Sequence, residues 1–487
     1  MTNLIVELAK YILIILICFY TYQSFNVFRT HDIRKQNKIF FNQNYLMFLL
    51  HLMGYLVIYI KTEERKVWMF YGAQVALLLG ILLFYSFVYR KSSRLITNNM
   101  CMLLTISFII LTRIDFESSV RQFFIVAAAV AVTAVIPALI QRMRFFRNLG
   151  WVYGAAGIAM LGIVAVFSLT SYGAKLSFTI AGVTIQPSEF VKLIFVFFVA
   201  SMFYRSKEKK QVLITTAVAA AHVMILVLSR DLGMGLIFFV VYMVMLYAGT
   251  KNRLLTAAGI AGGCAASVVA YKLFSHVRVR VLAWKDPFGN YDNGGYQVAQ
   301  SLFAIGTGGW FGMGLYQGSP SQIPVVKKDF IFSAIVEEMG AIFGICLILI
   351  CLSCFVMFVN IAIQMTDEFY KLVALGLGAA YAFQVFLTIG GGIKFIPLTG
   401  VTLPLISMGG SSMLSTLAMF AIIQGMYIMR EDEEGEELER EPQQGAEVSK
   451  KRKTSSGRAG NSGSGKQRRE AKASGPKEGR QKVRAKP

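Results

Sequence analysis

Charge is scarce in this 487-residue chain. Asp, Glu, Lys and Arg make up 16% of it, against about 25% in an average soluble domain. Histidine is scarcer, with four residues at positions 31, 51, 222 and 276 and no metal-ligand spacing among them. The six cysteines all lie inside apolar runs. Cys351-Leu-Ser-Cys354 has the outline of a redox or zinc pair. Its flanks are membrane-helix sequence and no second ligand pair follows, so small apolar packing residues are the stronger reading. There is no Walker A loop, Rossmann fingerprint, Ser/His/Asp order or zinc signature. These absences exclude a secreted disulfide scaffold and disfavour ATP-driven transport by this chain alone.

Hydrophobic residues fill the chain instead, at 55%. They gather into thirteen runs close to the ~20 residues that cross a bilayer core: about 5–22, 44–60, 69–89, 96–112, 119–140, 150–170, 187–204, 211–228, 232–248, 254–274, 330–357, 368–390 and 402–429. The pattern predicts an all-α polytopic membrane protein with about thirteen transmembrane helices. The first run lacks a small-residue cleavage site and reads as a retained helix.

The net charge of +22 is unevenly spread. Residues 431–449 are acidic and 450–487 strongly basic, so together this tail contributes only +4. Basic residues fall on alternate short connections: Arg29/Arg34/Lys35/Lys38, Arg90/Lys91/Arg94, Arg142/Arg144/Arg147, Arg205/Lys207/Lys209/Lys210 and Lys251/Arg253. The positive-inside rule makes these cytoplasmic. The expected topology therefore has the N-terminus outside and the C-terminus in the cytoplasm, and the excess charge implies no nucleic-acid partner. The tail has no aromatic residue and too little apolar surface to fold, so it is expected to be disordered.

Two segments on the predicted outer face break the helical pattern. Residues 275–329 form a large loop in which turn formers alternate with aromatics (WKDPF, NGGY, GTGGWFGMG, QGSPSQIP). Residues 390–412, GGGIKFIPLTGVTLPLISMGGSS, are dense in Gly and Pro. Irregular backbone at membrane depth is tolerated only where it is buried in protein or lines a cavity. The two segments are therefore expected to share one site.

Ionisable residues within membrane helices are functional candidates because their burial is costly. In QPSEFVKL (186–193), Glu189 and Lys192 are three apart, on one helical face, and able to pair. A stabilising ion pair is slightly favoured there over direct catalysis. In Ser229-Arg230-Asp231-Leu-Gly, Arg230 can meet an anion, or the segment is a tight turn with Asp231 as helix cap. Asp329 stands where the long loop re-enters the membrane, either as an N-cap or as a carboxylate facing a roofed cleft. Glu337 lies two turns further along, and Glu338 is expected on nearly the opposite face. Arg278, Arg280, Lys285 and Lys394 are either cations of the kind a pyrophosphate-bearing substrate needs or ordinary solvated loop charge, the second being preferred for Lys285.

Five stretches in order then carry a resemblance: QPSEFVKL (186–193), RDLGMGLI (230–237), RVRVLAWKDPFGNYDNGGYQVAQSLFAIGTGGWFGMGL (278–315), DFIFSAIVEEMG (329–340) and PLTGVTLPLISMGGSS (397–412). Together they resemble the SEDS family of RodA, FtsW and SpoVE, bacterial proteins of cell-wall growth, cell shape, cell division and sporulation. The resemblance implies a ten-helix core over 95–430, an N-terminal three-helix extension over 1–94 and the tail 431–487. It implies a peptidoglycan glycosyltransferase in the bacterial cytoplasmic membrane. Such an enzyme polymerises lipid II at the outer face, with undecaprenyl pyrophosphate as leaving group. A class B penicillin-binding protein and other elongation or division proteins would be its partners.

Asp329 matches the family's essential aspartate and is expected to be the general base. Glu189 and Lys192 match its Glu/Lys pair, and Ser411 and Ser412 close its Gly-Gly-Ser-Ser motif. Arg230, Arg278, Arg280, Lys394 and Glu337 join them as residues for substrate binding or support. Departures are Lys327-Lys328 where His-Thr is common, Met408 where Tyr is common, and Ser-Arg-Asp-Leu-Gly where Gln-Pro-Asp-Leu-Gly is common. No cofactor is firmly implied; the leaving group's charge can be met by Arg and Lys or by a divalent cation such as Mg or Mn. The alternatives are a lipid II flippase or a non-catalytic division scaffold.

Overall fold

In hydrocarbon a spanning segment must close its backbone hydrogen bonds internally, and each long apolar run does so as a helix. The computed structural model describes residues 2–456 except 31, 143, 168, 172–173 and 181–182. The chain runs through α1 (Thr2–Asn26), α2 (Ile33–Thr62), α3 (Arg65–Val88), α4 (Arg94–Ile114), α5 (Phe116–Thr133), α6 (Ile136–Arg142), α7 (Gly150–Phe167) and α8 (Pro187–Arg205). It continues through α9 (Lys209–Leu228), α10 (Leu232–Thr250), α11 (Arg253–Leu273), α12 (Ser275–Lys285), α13 (Tyr296–Gly308), α14 (Ile331–Gln364), α15 (Glu368–Gly392) and α16 (Gly410–Ser456). Twelve spans among the described residues are long and apolar enough to cross a membrane, α5 and α6 making one of them. Gly150–Val166 is a shorter apolar helix at the place of the remaining expected run. This is the architecture of a polytopic membrane protein.

Three departures from the sequence reading stand out. Between α7 and α8 lies a three-stranded antiparallel sheet, β1 (Leu169–Ser171), β2 (Ala174–Ile180) and β3 (Val183–Ile185), with Thr170 opposite Lys175 and Phe178 opposite Ile185. Its strand sequences, LSFTI and VTI, carry the β-branched and aromatic residues that favour extended backbone. The long connection is also partly helical, as α12 and α13. Finally, α16 runs on past the last span into the charged segment, as far as Ser456. Residues 433–487 form a unit separate from 1–432, and 457–487 lie outside the described residues.

The bundle is centred on α4, whose residues from Leu95 to Thr112 are all buried. α1 packs along α14. Within the apolar runs of the first helices, single polar side chains are buried and paired across helices. Asn99 of α4 accepts from Tyr20 Oη (3.1 Å) and Ser24 Oγ (3.2 Å) of α1, and its amide donates to Ser353 Oγ of α14 (3.1 Å). Gln43 of α2 donates to Ser24 Oγ (3.0 Å) and accepts from Asn98 (3.0 Å). Hydropathy averaged over a run hides single amides, and each finds its partner on another helix.

α14 is interrupted. At Gly340 the backbone turns to φ 90°, ψ 164°. Residues 309–314 enter the break: Met313 and Gly314 donate to the carbonyls of Glu337 and Glu338 (3.0 and 2.8 Å). Ala341 and Ile342 donate to Gly309 and Trp310 (2.9 and 3.2 Å). A regular helix would have joined 341 to 337 and 342 to 338; the loop takes up both halves of those two lost bonds. A Cβ at Gly308, Gly312 or Gly340 would come within 2.2, 2.4 or 2.5 Å of the facing backbone.

Asn99→Leu leaves the Tyr20 hydroxyl without its acceptor and Ser353 without its donor, a loss of about 1–3 kcal/mol. The expected outcome is a lower unfolding temperature for the purified protein in detergent, read by thermal shift. An unchanged midpoint would show that α1 does not rely on this contact.

Candidate active site

Asp329 sits at the end of a tight turn entered through Val325. Lys328 and Asp329 both donate their N–H to the Val325 carbonyl (2.9 and 3.2 Å). Val325 itself has φ 53°, a left-handed conformation that a β-branched residue adopts only when its surroundings impose it. Arg230 (φ 65°), Tyr316 (φ 67°), Lys394 (φ 60°) and Leu405 (φ 64°) share that conformation in the turns and loops of the same end of the bundle.

The Gly/Pro segment after α15 folds against this turn. Ser407 Oγ donates to the Lys328 carbonyl (2.5 Å), and the Met408 N–H donates to that of Lys327 (2.8 Å). Gly400, at φ 75°, faces the carboxylate, and a Cβ there would lie 3.6 Å from Asp329 Oδ2. Arg280 of α12 reaches the same segment, donating to the carbonyls of Leu398 (3.3 Å) and Thr399 (3.0 Å). Trp284 Nε1 donates to the Lys394 carbonyl (3.1 Å). The two irregular segments that the sequence assigns to one site therefore meet beside Asp329.

A second carboxylate joins them. Asp231, buried, caps α10 through the Met234 N–H (3.2 Å), while its other oxygen accepts from Ser188 Oγ (3.1 Å) and Gln186 Nε2 (3.4 Å). Gly233, two residues on, lies against Thr399 and Val401, which fixes the start of α10 to the same segment. Burial raises Asp329 to about 6, opposed by Lys328 and then Arg280. Burial likewise raises Asp231 to about 6, opposed by its hydrogen bonds. Arg280 feels both carboxylates, which oppose the downward pull of its own burial. His276 is pushed down by burial and by Arg230 and Arg280, so it is neutral at pH 7. The site is thus two carboxylates poised near neutrality and a half-buried guanidinium that senses both.

Glu189 and Lys192 support the site from below. Their side chains pair at 2.8 Å, with Glu189 3% and Lys192 1% exposed. Lys192 also donates to Gln384 Oε1 of α15 (2.6 Å), and Gln384 Nε2 donates to the Thr402 carbonyl (3.0 Å). Ser415 Oγ donates to Glu189 Oε2 (3.0 Å). Ser412 Oγ accepts from Thr402 Oγ1 (2.7 Å), and Ser411 Oγ accepts from the Gln186 N–H (2.9 Å). These residues hold the segment that carries Gly400.

Other sequence candidates lie apart from Asp329. Exposed Arg278 donates to the Lys272 carbonyl (2.9 Å) and is not drawn in with Arg280. Glu337 accepts from the Ser319 N–H (2.9 Å), and Glu338 from the Tyr316 N–H (3.1 Å) and Arg113 (2.9 Å). Both acids therefore meet the same loop; the expectation of opposite faces fails because the loop wraps the helix at its break. Lys394 is fixed by its backbone carbonyl. Among the described residues no three His, Cys, Asp or Glu side chains gather as a ready-made metal cage.

Residues 92–432 match the family model of FtsW, RodA and SpoVE, described as cell cycle protein. The chain belongs to that family. It is 32% identical over 329 residues to the peptidoglycan glycosyltransferase RodA of Mycobacterium tuberculosis, covering 63% of this chain and 69% of the relative. It is 34% identical over 291 residues to the probable peptidoglycan glycosyltransferase FtsW of Bacillus subtilis, covering 55% and 72%. Its fold is that of a chain in a solved structure concerned with coordination of polymerization and crosslinking by a peptidoglycan synthase complex. The TM-score is 0.60 at 22% identity, over 70% of this chain and 98% of that one.

Within this FtsW/RodA/SpoVE member, sequence reasoning missed Asp231 as more than a cap. The signal was present, a carboxylate between two apolar runs, but only the fold brings Arg280 to it across the α11–α12 connection. Removing one partner of a buried ion pair strands the other charge, at about 3–5 kcal/mol. Glu189→Ala and Lys192→Ala should each lower the unfolding temperature and activity, and the double variant should lose less than the sum. A double-mutant cycle with zero coupling energy would refute the pairing.

Proposed function

We propose that this chain is a peptidoglycan glycosyltransferase that polymerises lipid II, with Asp329 as general base. The observation that carries the reading is the place of Asp329: a half-buried carboxylate raised to about 6, held by three segments far apart in sequence and faced by Arg280. The acceptor sugar's 4-hydroxyl attacks the anomeric carbon of the donor, and Asp329 takes the hydroxyl proton as the bond forms. A positioned base contributes about 10²–10⁴-fold. Undecaprenyl pyrophosphate leaves without needing a proton, and its charge is met by Arg280 together with Arg230 and Lys328. Inversion at an α-linked donor gives a β-linked strand.

In this reading the Asp329 end faces outward, the N-terminus is outside and the C-terminus cytoplasmic, following the basic connections. Residues 95–430 form the catalytic core, 1–94 an addition and 431–487 a tail for location or partner binding. A class B penicillin-binding protein crosslinks the product strands, and other elongation or division proteins assemble with the pair.

Asp329→Asn keeps size and turn-forming ability but removes the base. The expected outcome is folded, membrane-inserted protein that makes no glycan strand from purified lipid II, read on a polymer gel. Near-wild-type polymer from that variant would overturn the assignment.

The pH dependence has a definite sign. A base with a pKa of about 6 is ionised above that value. Turnover should be flat above about pH 7 and fall as pH drops through 6. An acid limb near 4, the value of an unperturbed carboxylate, would contradict the buried base.

A further inference from the structure

Two residues before Asp329, Lys327 points away from the site to the corner between α4 and α5. Its Nζ lies 2.5 Å from Asp115 Oδ2 and 3.0 Å from Ser118 Oγ. Ser118 in turn donates to the same Asp115 oxygen. The backbone of the turn is held from the other side, where Ser407 and Met408 take the carbonyls of Lys328 and Lys327. The turn is thus clamped between the α4–α5 corner and the Gly/Pro segment, and the Asp115–Lys327 pair is the side-chain half of that clamp. The same corner carries Arg113, which binds Glu338 (2.8 Å) and the Gly318 carbonyl (3.2 Å).

We propose that Asp115 is a positioning residue for Asp329, acting through Lys327: it anchors the turn and keeps the Lys327 ammonium away from the base. This rests on the reading of Asp329 as general base. The charges facing Asp329 are Lys328 on its own turn and Arg280 from α12, with His276 neutral behind Arg280. Those around the anchor are Asp115 and Lys327, with Glu117 contributing its N–H and Lys66 lying over the Phe116 ring. Lys327 pulls Asp115 below the usual carboxylate range, as expected of a settled pair. With Asp115 made neutral, the long Lys327 side chain is released two residues from the base, and a cation newly beside a carboxylate lowers its pKa.

The test is lipid II polymerisation by the full-length protein across pH 4.5 to 8.5. Compared are wild type, Asp115→Asn, Lys327→Met and the double variant, each checked for its unfolding temperature. Asp115→Asn should lose about ten- to a hundredfold in turnover, and its acid limb should move down by about one pH unit. Lys327→Met loses the anchor without releasing a cation, so its turnover should fall while the limb stays. The double variant should behave like Lys327→Met. A limb unmoved in Asp115→Asn, or moved equally in Lys327→Met, overturns the proposal, as does wild-type turnover in both single variants. Loss of the acid limb in wild type, with an active Asp329→Asn, instead overturns the base reading.

Discussion

Backbone without a partner is what a low-dielectric interior does not tolerate, and the Asp329 end of this bundle is built around that constraint. Two stretches of irregular chain, 309–319 and 393–409, lie against the ends of helices that would otherwise present free amides and carbonyls. Their polar groups are taken up by buried or half-buried side chains: Glu337 and Glu338 accept loop amides, Arg280 donates to two carbonyls, and Ser407 and Gln384 reach others. Charged residues that would be a liability in a membrane helix serve as hydrogen-bond partners for chain that cannot be helical. The candidate base sits where the second of these stretches meets the Val325–Asp329 turn, and its geometry is a by-product of satisfying the backbone around it.

The same economy explains why burial raises Asp329 and Asp231 together. Each carboxylate is screened from water by folded chain, so desolvation outweighs the pull of Lys328 and Arg280 on Asp329 and that of the hydrogen bonds to Asp231. A site on the surface of the bundle would have left both acids as ordinary carboxylates. The left-handed backbone at Val325, Arg230, Lys394 and Leu405 belongs to the same account, since strain persists where neighbouring contacts over-determine the path.

The thirteen helical segments were legible in the sequence because a membrane span writes itself as about twenty apolar residues. Asp329 and the Glu189–Lys192 pair were legible because charges in such runs are rare. The sheet between α7 and α8 was hidden because its short strands fall almost wholly in the connection between two expected spans, 150–170 and 187–204. The break at Gly340 was hidden because a glycine inside the run 330–357 does not by itself end a membrane helix. Asn98, Asn99 and Gln43 were visible as polar residues, yet nothing local says which helix each meets. Pattern gives the helices and the unusual residues; pairing across helices comes only from the fold.

The junction of α14 with its loop has a consequence for how this protein tolerates change. At Gly308, Gly312 and Gly340 the contact is backbone on backbone, with no side chain to trim in compensation. Where a residue faces a side chain, a larger one can be accommodated by a smaller one opposite, so packing can drift through paired substitutions. Here no such pair exists. The joint is either kept as three glycines or lost, which makes it a fixed point around which the rest of the membrane body is free to vary.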